Sequence, residues 1–266
     1  MRNVLITGGT SGLGYELVKC FLRQGCNVYS IGRNSTIINE PGERFHFIKM
    51  DLADFADVAK GTKELLADVN RFDIVINNAG VLSPPVYSTT INGNEYSFQV
   101  NFLSHLLLNG LIIKAKSDTD HLMIASVTSP VYKYFRPDFV MPERLNYHPL
   151  RSYAESKTYI LLIGRYLERL YNDKNIRHIG LDPGTFSSGI SRMQKKWFQK
   201  MYNVAAPFMR KPDKIASAFT GILMENRSQD DVILNSKRKH RTLNYIDNQA
   251  AEDFMDKCYS IIEPFF

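Results

Sequence analysis

The sequence has few cysteines and no long hydrophobic run. Three of its 266 residues are cysteine, and Cys20, Cys26 and Cys258 stand at unrelated spacings, which argues against a disulfide framework and is typical of a reducing compartment. No stretch approaches the roughly 18 consecutive apolar residues of a membrane-spanning helix, and the apolar start "MRNVLITGG" is too short for a signal peptide. We therefore expect a cytoplasmic protein with no membrane span.

The sequence also lacks the usual signals of metal and nucleic-acid binding. Neither the six histidines nor the cysteines have ligand spacing, so we expect no catalytic metal. The net charge is +6, and basic residues cluster at 192–200 and 237–241, but neither stretch matches a nucleic-acid-binding motif. A phosphorylated small ligand or a solvated surface accounts for the charge instead. We expect a small-molecule ligand and no nucleic-acid partner.

What the sequence does contain is an alternation of short β-rich runs with longer helical stretches. Hydrophobic residues make up 44% and charged residues 23%, which is ordinary globular composition. Strand-like runs occur at 3–7, 27–32, 45–51, 72–80, 121–126, 176–184 and 231–235. Helical spacing lies between them, including a stretch after Gly80 that is predicted to continue to about Lys116. The pattern predicts an α/β fold: a Rossmann-type doubly wound parallel sheet of about seven strands with helices on both faces, as a single domain over 1–266.

A glycine-rich turn, "ITGGTSGLG" (6–14), joins the first predicted strand to the first helix. Glycine permits positive φ and close approach of a ligand to the backbone, and a helix N-terminus offers unpaired N–H groups to an anion. In the first βα unit of a doubly wound sheet, this is where a dinucleotide pyrophosphate binds. A tight structural loop is the alternative interpretation.

Tyr153 and Lys157, in "SYAESKTY" (152–159), are four residues apart and share one helix face. Alone, such a pair is more often a surface contact. After a strand and a serine in a nucleotide-binding fold, it predicts catalysis. A free phenol has a pKa near 10, and a neighbouring lysine cation lowers it. Tyr153 could then act as general acid in carbonyl reduction or general base in alcohol oxidation.

These features, in their order along the chain, resemble the short-chain dehydrogenase/reductase family. The family pattern T-G-x-x-x-G-x-G is matched by Thr7, Gly8, Gly12 and Gly14, N-N-A-G by 77–80, and Y-x-x-x-K by Tyr153 and Lys157. Single positions of the pattern are matched by Asp51, Asn101, Ser126, Pro183 and Gly184. Segments 182–192, 207–219 and 250–262 are similar to the retinol-dehydrogenase-like branch, which does not by itself imply retinol as substrate.

The resemblance implies roles for individual residues. Tyr153 would be the acid/base, Lys157 would hold the cofactor ribose, Ser126 would bind the substrate oxygen, and Asn101 would anchor a relay water. The implied cofactor-binding set is Gly8, Thr10, Ser11, Gly12, Leu13, Gly14, Arg33, Asp51, Leu52, Asn78, Ala79, Gly80, Tyr153, Lys157, Pro183, Gly184, Phe186 and Ser188.

The stretch between Ser126 and Tyr153 is longer than in simpler family members. Thr128 and Ser129 lie close enough to Ser126 to be alternatives for its role. The extra residues include Tyr132, Tyr134, Phe135 and Tyr147, which either wall the substrate pocket or form a surface excursion.

The end of the second strand indicates the cofactor. NAD-binding sites usually place an acidic residue there, whereas this chain has Gly32 followed by Arg33. An arginine can bind a 2′-phosphate through charge-assisted hydrogen bonds. The sequence therefore predicts NADP(H) as the preferred cofactor, with NAD(H) as the alternative. The other interpretation of Arg33 is a solvated surface residue with no ligand.

The sequence thus predicts an NADP(H)-dependent oxidoreductase that interconverts a carbonyl and an alcohol by hydride transfer. A non-catalytic nucleotide-binding regulator and a nucleotide-sugar-modifying relative are the alternatives. A homodimer or homotetramer is the candidate assembly. The amphipathic segment 187–212 is a candidate substrate lid, with a membrane-surface helix or a plain packed helix as its other interpretations.

Overall fold

A single mixed sheet forms the centre of the molecule. The computed structural model describes residues 1–35, 43–173, 175–185, 210–225, 232–237, 239–242 and 249–266. Within these residues, the strands are β1 Asn3–Thr7, β2 Asn27–Gly32, β3 Phe45–Lys49, β4 Ile74–Asn77, β5 Leu122–Val127, β6 Ile176–Asp182, β7 Val232–Asn235 and β8 His240–Thr242. Their order in the sheet is β3-β2-β1-β4-β5-β6-β7-β8. The first seven strands pair in parallel, which confirms the predicted doubly wound sheet, and β8 adds an antiparallel edge that the sequence did not indicate.

The helices mostly follow the predicted alternation. They are α1 Gly12–Arg23, α2 Phe55–Asp68, α3 Tyr96–Phe98, α4 Ser104–Ala115, α5 Pro149–Tyr159, α6 Ile163–Tyr171, α7 Pro212–Met224 and α8 Gln249–Ile262, and a π-helical turn, Gln99–Leu103, joins α3 to α4. The prediction of a helix after Gly80 is wrong for residues 81–95, where Thr89 and Glu95 form an isolated β-bridge. Two consecutive prolines at 84–85 and Gly93 at positive φ explain why no helix forms there.

Two hydrophobic layers cover the sheet. On one face, α1 and α7 pack over buried residues of β1, β4 and β5, with Phe21 and Phe219 among the fully buried side chains. On the other face, α2, α4, α6 and α8 pack over Leu5, Ile31 and Ile124. Burial on both faces requires strands that are continuously apolar, and β4 and β5 are buried at every position.

An aromatic cluster lies under α8 and fixes the position of α5. The ring of Phe254, on α8, has its centroid 4.4 Å from that of Tyr159, at the end of α5. Phe98, Phe102 and Phe139 lie around the same pair. Phe139 adopts φ of 57°, an unusual value for a bulky residue, and its ring anchors the 130–148 segment to the core.

The topology places a cleft at the carboxyl ends of β1 and β4. The strand order reverses between these two strands, and connections on either side of such a reversal leave a crevice in which ligands bind. Among the described residues, none of the helices is both long enough and apolar enough to cross a bilayer.

Candidate active site

A cleft of about 720 Å³ opens at this switch point. It is lined by all of the predicted cofactor-binding residues that the structure describes: Gly8, Thr10, Ser11, Gly12, Leu13, Gly14, Arg33, Asp51, Leu52, Asn78, Ala79, Gly80, Tyr153, Lys157, Pro183 and Gly184. These residues come from the ends of several strands and from α5, so the sheet brings together segments that are far apart in sequence. The remaining predicted contacts, Phe186 and Ser188, lie outside the described residues, as does the candidate lid 187–212 except for 210–212.

The glycine-rich turn presents the N-terminus of α1 to the cleft. Gly12 has φ of 56°, and a Cβ atom built there would meet no atom within 4 Å, so the turn faces open space. Ser11, the N-cap residue, makes no side-chain capping hydrogen bond, and the first turn of α1 contains no acidic residue. Neither Ser11 nor an acidic residue of the first turn thus occupies the first amides of α1, which fit an anionic pyrophosphate.

Asn78 and Thr7 hold the turn against the end of β4. Asn78 Nδ2 donates to the carbonyl oxygen of Thr7 at 2.8 Å. In return, Thr7 Oγ1 accepts hydrogen bonds from the backbone N–H groups of Asn78 at 3.0 Å and Ala79 at 2.9 Å. These bonds fix the two loops that form opposite walls of the cleft.

Tyr153 and Lys157 lie on one face of α5 and both line the cleft. Their relative exposures are 7% and 3%, so neither is the surface contact that the isolated spacing would suggest. Lys157 Nζ donates to the carbonyl oxygen of Val127 at 3.2 Å. A Cβ atom at position 80 would lie 2.8 Å from this nitrogen, and Gly80 therefore makes room for the ammonium group. Burial lowers the pKa of Lys157 to about 8.

Asn101 and Ser126 are buried near the cleft but are not among the described residues that line it. Asn101 lies in the π-helical turn, where its Nδ2 donates to Val81 O and to Ser156 Oγ, both at 2.9 Å. Ser126, near the end of β5, accepts a hydrogen bond from Asn77 Nδ2 at 3.2 Å. Both side chains are thus held in place by residues next to the cleft walls.

The outer part of the cleft is apolar. Its walls include side chains that sequence reasoning did not assign, namely Val81, Leu82, Tyr96, Val100, Val131 and Leu150. Tyr134, one of the predicted wall residues, also lines it, whereas Tyr147 turns away and donates to Pro84 O. Thr128 and Ser129 line the cleft too. Pro130, three residues after the end of β5, begins a 3-10 turn, and Pro130 and Val131 of that turn line the cleft.

Arg33 and Asp51 line the cleft beyond the carboxyl ends of β2 and β3. Arg33 follows β2 and is exposed, while Asp51 follows β3. The Asp51 carboxylate accepts a hydrogen bond from the Ala53 backbone N–H at 3.0 Å. One carboxylate oxygen is therefore engaged by its own turn, whereas the exposed guanidinium of Arg33 has room to reach a ligand.

Comparison with known proteins agrees with this geometry. The family model described as short chain dehydrogenase matches residues 2–200. The chain belongs to the short-chain dehydrogenase family. As a member of it, the chain is an NAD(P)-dependent oxidoreductase acting on alcohol and carbonyl groups, which confirms the reaction class predicted from the sequence.

Individual relatives place the chain more closely within the family. A short-chain dehydrogenase/reductase from Armillaria gallica is 28% identical over 217 residues, covering 76% of this chain and 70% of that one. Retinol dehydrogenase 14 from Mus musculus is 30% identical over 211 residues, covering 72% of this chain and 63% of that one. The predicted similarity to the retinol-dehydrogenase-like branch of the family is confirmed. Among solved structures, the 3-ketoacyl-(acyl-carrier-protein) reductase from Brucella melitensis, complexed with NADH, shares the fold with a TM-score of 0.60 at 21% identity, covering 88% of this chain and 96% of that chain.

Proposed function

We propose that this short-chain dehydrogenase interconverts a carbonyl and an alcohol with NADP(H), and that Tyr153 transfers the proton. The observation that carries the proposal is the burial of Tyr153 and Lys157 side by side in a cleft that also contains the glycine-rich turn. If Tyr153 and Lys157 had only a structural role, we would not expect them to line the same cleft as the turn that fits a pyrophosphate. Bound at this turn, the nicotinamide cofactor would supply or accept the hydride.

Within this mechanism, Tyr153 donates its phenolic proton to the substrate oxygen during reduction and withdraws it during oxidation. Lys157 acts as a cation beside it, because its pKa of about 8 keeps the ammonium form predominant at neutral pH. Lys157 also holds the cofactor ribose, for which its position between Gly80 and Val127 is suited.

Ser126 and Asn101 complete the proposed proton-transfer group. The hydrogen bond from Asn77 occupies a lone pair of Ser126 Oγ, which leaves the serine proton available for the substrate oxygen. The Asn101 side chain is committed to Val81 and Ser156. This leaves its backbone carbonyl as the group that anchors the relay behind Lys157.

The preference for NADP(H) rests on Arg33. Arg33 follows β2, at the position where an acidic residue usually selects NAD(H). It is exposed and lines the cleft, which supports binding of a 2′-phosphate. On the substrate side, the walls formed by Leu82, Val131 and Leu150 favour carbonyl compounds with apolar substituents, because apolar groups gain free energy on leaving water.

The test is a turnover assay with NADPH and a panel of aldehydes, ketones, steroids and retinoids, in wild type and Tyr153→Phe. Phenylalanine has nearly the same volume as tyrosine but lacks the hydroxyl group that donates the proton. We expect turnover to fall by about 10²- to 10⁴-fold, while NADPH still binds. Tyr171→Phe is the matched control, since its hydroxyl pairs with that of Tyr259 outside the cleft. Near-wild-type turnover in Tyr153→Phe contradicts the proposed role. NADPH binding without turnover on any substrate favours the non-catalytic regulator instead.

A further inference from the structure

A completely buried histidine lies between the glycine-rich turn and the π-helical turn. His105 is in the first turn of α4 and has a relative exposure of 0%. Its Nε2 lies 2.9 Å from Thr7 Oγ1, and its Nδ1 lies 3.1 Å from the carbonyl oxygen of Asn101. The imidazole therefore contacts both the turn that fits the cofactor and the residue proposed to anchor the relay.

The surrounding hydrogen bonds determine which ring nitrogen carries the proton. Thr7 Oγ1 already accepts from two backbone N–H groups, those of Asn78 and Ala79. A hydroxyl has two acceptor lone pairs and one proton, so Thr7 can meet His105 only as a donor. The other acceptor within its reach, Ile76 O, is farther away at 3.4 Å. His105 Nε2 is therefore the acceptor, and Nδ1 carries the hydrogen and donates to Asn101 O.

We propose that His105 is a positioning residue that, as the neutral Nδ1–H tautomer, fixes the Asn101 carbonyl relative to the Thr7 end of the glycine-rich turn. The proposal rests on the roles proposed above for Asn101 and for the turn. It gives a role to a fully buried polar side chain in the first turn of α4, next to the apolar and fully buried Leu106 and Leu107.

The electrostatic surroundings keep the imidazole neutral. Burial, with the nearby Lys157 cation, lowers the pKa of His105 to about 3. The Nε2 atom therefore stays an acceptor at neutral pH. A neutral imidazole holds its two partners without adding a second positive charge beside Lys157.

Two substitutions separate the two contacts. In His105→Asn, the amide nitrogen occupies the place of Nδ1 and keeps the bond to Asn101 O. An asparagine on α4 can make such a bond, because Asn109 Nδ2 donates to the carbonyl of residue 105, four positions earlier, at 2.7 Å. In His105→Gln, the amide oxygen occupies the place of Nε2 and keeps the bond from Thr7.

We expect His105→Asn to weaken NADPH binding about tenfold, with kcat at saturating cofactor little changed, because a buried hydrogen bond at the turn is lost. His105→Gln should lower kcat about tenfold with the dissociation constant of NADPH little changed. The control is His178, a buried histidine that does not line the cleft. Its Nε2 atom lies 3.2 Å from Oε2 of Glu168. His178→Asn and His178→Gln should leave both constants at wild-type values. If both His105 variants change both constants by the same factor, or change neither, the positioning role is overturned.

A measurement on the wild-type protein tests the tautomer without turnover. In protein labelled with ¹⁵N at histidine, the His105 signals, assigned by their loss in His105→Gln, should show a protonated Nδ1 and an unprotonated Nε2 at neutral pH. A protonated Nε2, or signals averaged between the two tautomers, overturns the proposal whatever binding and turnover constants the two variants show. If the wild type shows no turnover with any substrate, the proposed function fails. The tautomer and the NADPH affinity of His105→Asn still decide the role of His105.

Discussion

Lys133, in the 3-10 turn after β5, forms an ion pair with Asp182, the last residue of β6. The Nζ atom of Lys133 lies 2.6 Å from Oδ2 of Asp182, and the Lys133 and Asp182 side chains are 28% and 6% exposed. The other carboxylate oxygen of Asp182 accepts from the backbone N–H of Gly184 at 2.9 Å. Because Val131 and Gly184 both line the cleft, this pair joins two segments of its wall.

Removing the lysine should destabilise the protein. Lys133→Met leaves a buried carboxylate without its cation, and we expect the free energy of unfolding to fall by about 1–3 kcal/mol. Urea denaturation of wild type and variant measures this difference. Lys60→Met is the control, because Lys60 and Glu64 are 3.9 Å apart and 75% and 68% exposed, so its effect should stay below about 1 kcal/mol. Equal stability of Lys133→Met and wild type would show that the pair contributes nothing.

Arg33 should determine the choice of cofactor. Arg33→Asp replaces the proposed phosphate ligand by a group that repels phosphate, and we expect the dissociation constant of NADPH to rise about 10- to 100-fold, while that of NADH stays the same or falls. Arg33→Gln separates the two effects, because it removes the cation without adding a carboxylate and should weaken only NADPH. Fluorescence titration with both cofactors measures these constants. A wild type that prefers NADH contradicts the assignment.

Carbonyl reduction should weaken at alkaline pH. The pKa of Lys157 is lowered by burial to about 8, so the cation beside Tyr153 is lost as the pH rises through that value. We expect kcat/KM for reduction to be level between about pH 6 and 7.5 and to fall about tenfold for each unit well above pH 8. A pH–rate profile measures this, with circular dichroism at each pH as the control for folding. A level profile up to pH 10 would show that carbonyl reduction does not depend on the Lys157 cation.

Much of the site was accessible from the sequence because the family pattern is local. The glycine-rich turn, 77–80 and the Tyr153–Lys157 pair each consist of a few neighbouring residues at the end of a strand or on one helix face. The sheet then brings strand ends together by its topology, so the cleft follows once the strand order is known. These predictions required no knowledge of side-chain packing.

The features that the sequence did not reveal depend on contacts between distant residues. His105 meets Thr7 across 98 positions, and no spacing rule relates the two. The ion pair between Lys133 and Asp182 spans 49 positions. The π-helical turn at Gln99–Leu103 has no compositional signature either, since its residues are compatible with an ordinary α-helix. Each of these features exists only because the sheet and helices have already been assembled.

The aromatic cluster beneath α8 has a consequence for the order in which a growing chain acquires its structure. Tyr159, at the end of the helix that carries Tyr153 and Lys157, is covered by Phe254. Until residue 254 is made, Tyr159 lacks the aromatic ring whose centroid lies 4.4 Å from its own, although β1 to β6 have already been synthesised. We therefore expect α5, which carries Tyr153 and Lys157, to be among the last parts of the molecule to reach its final packing. A nascent chain stalled before α8 should then hold a complete glycine-rich turn beside an α5 that has not reached its final packing.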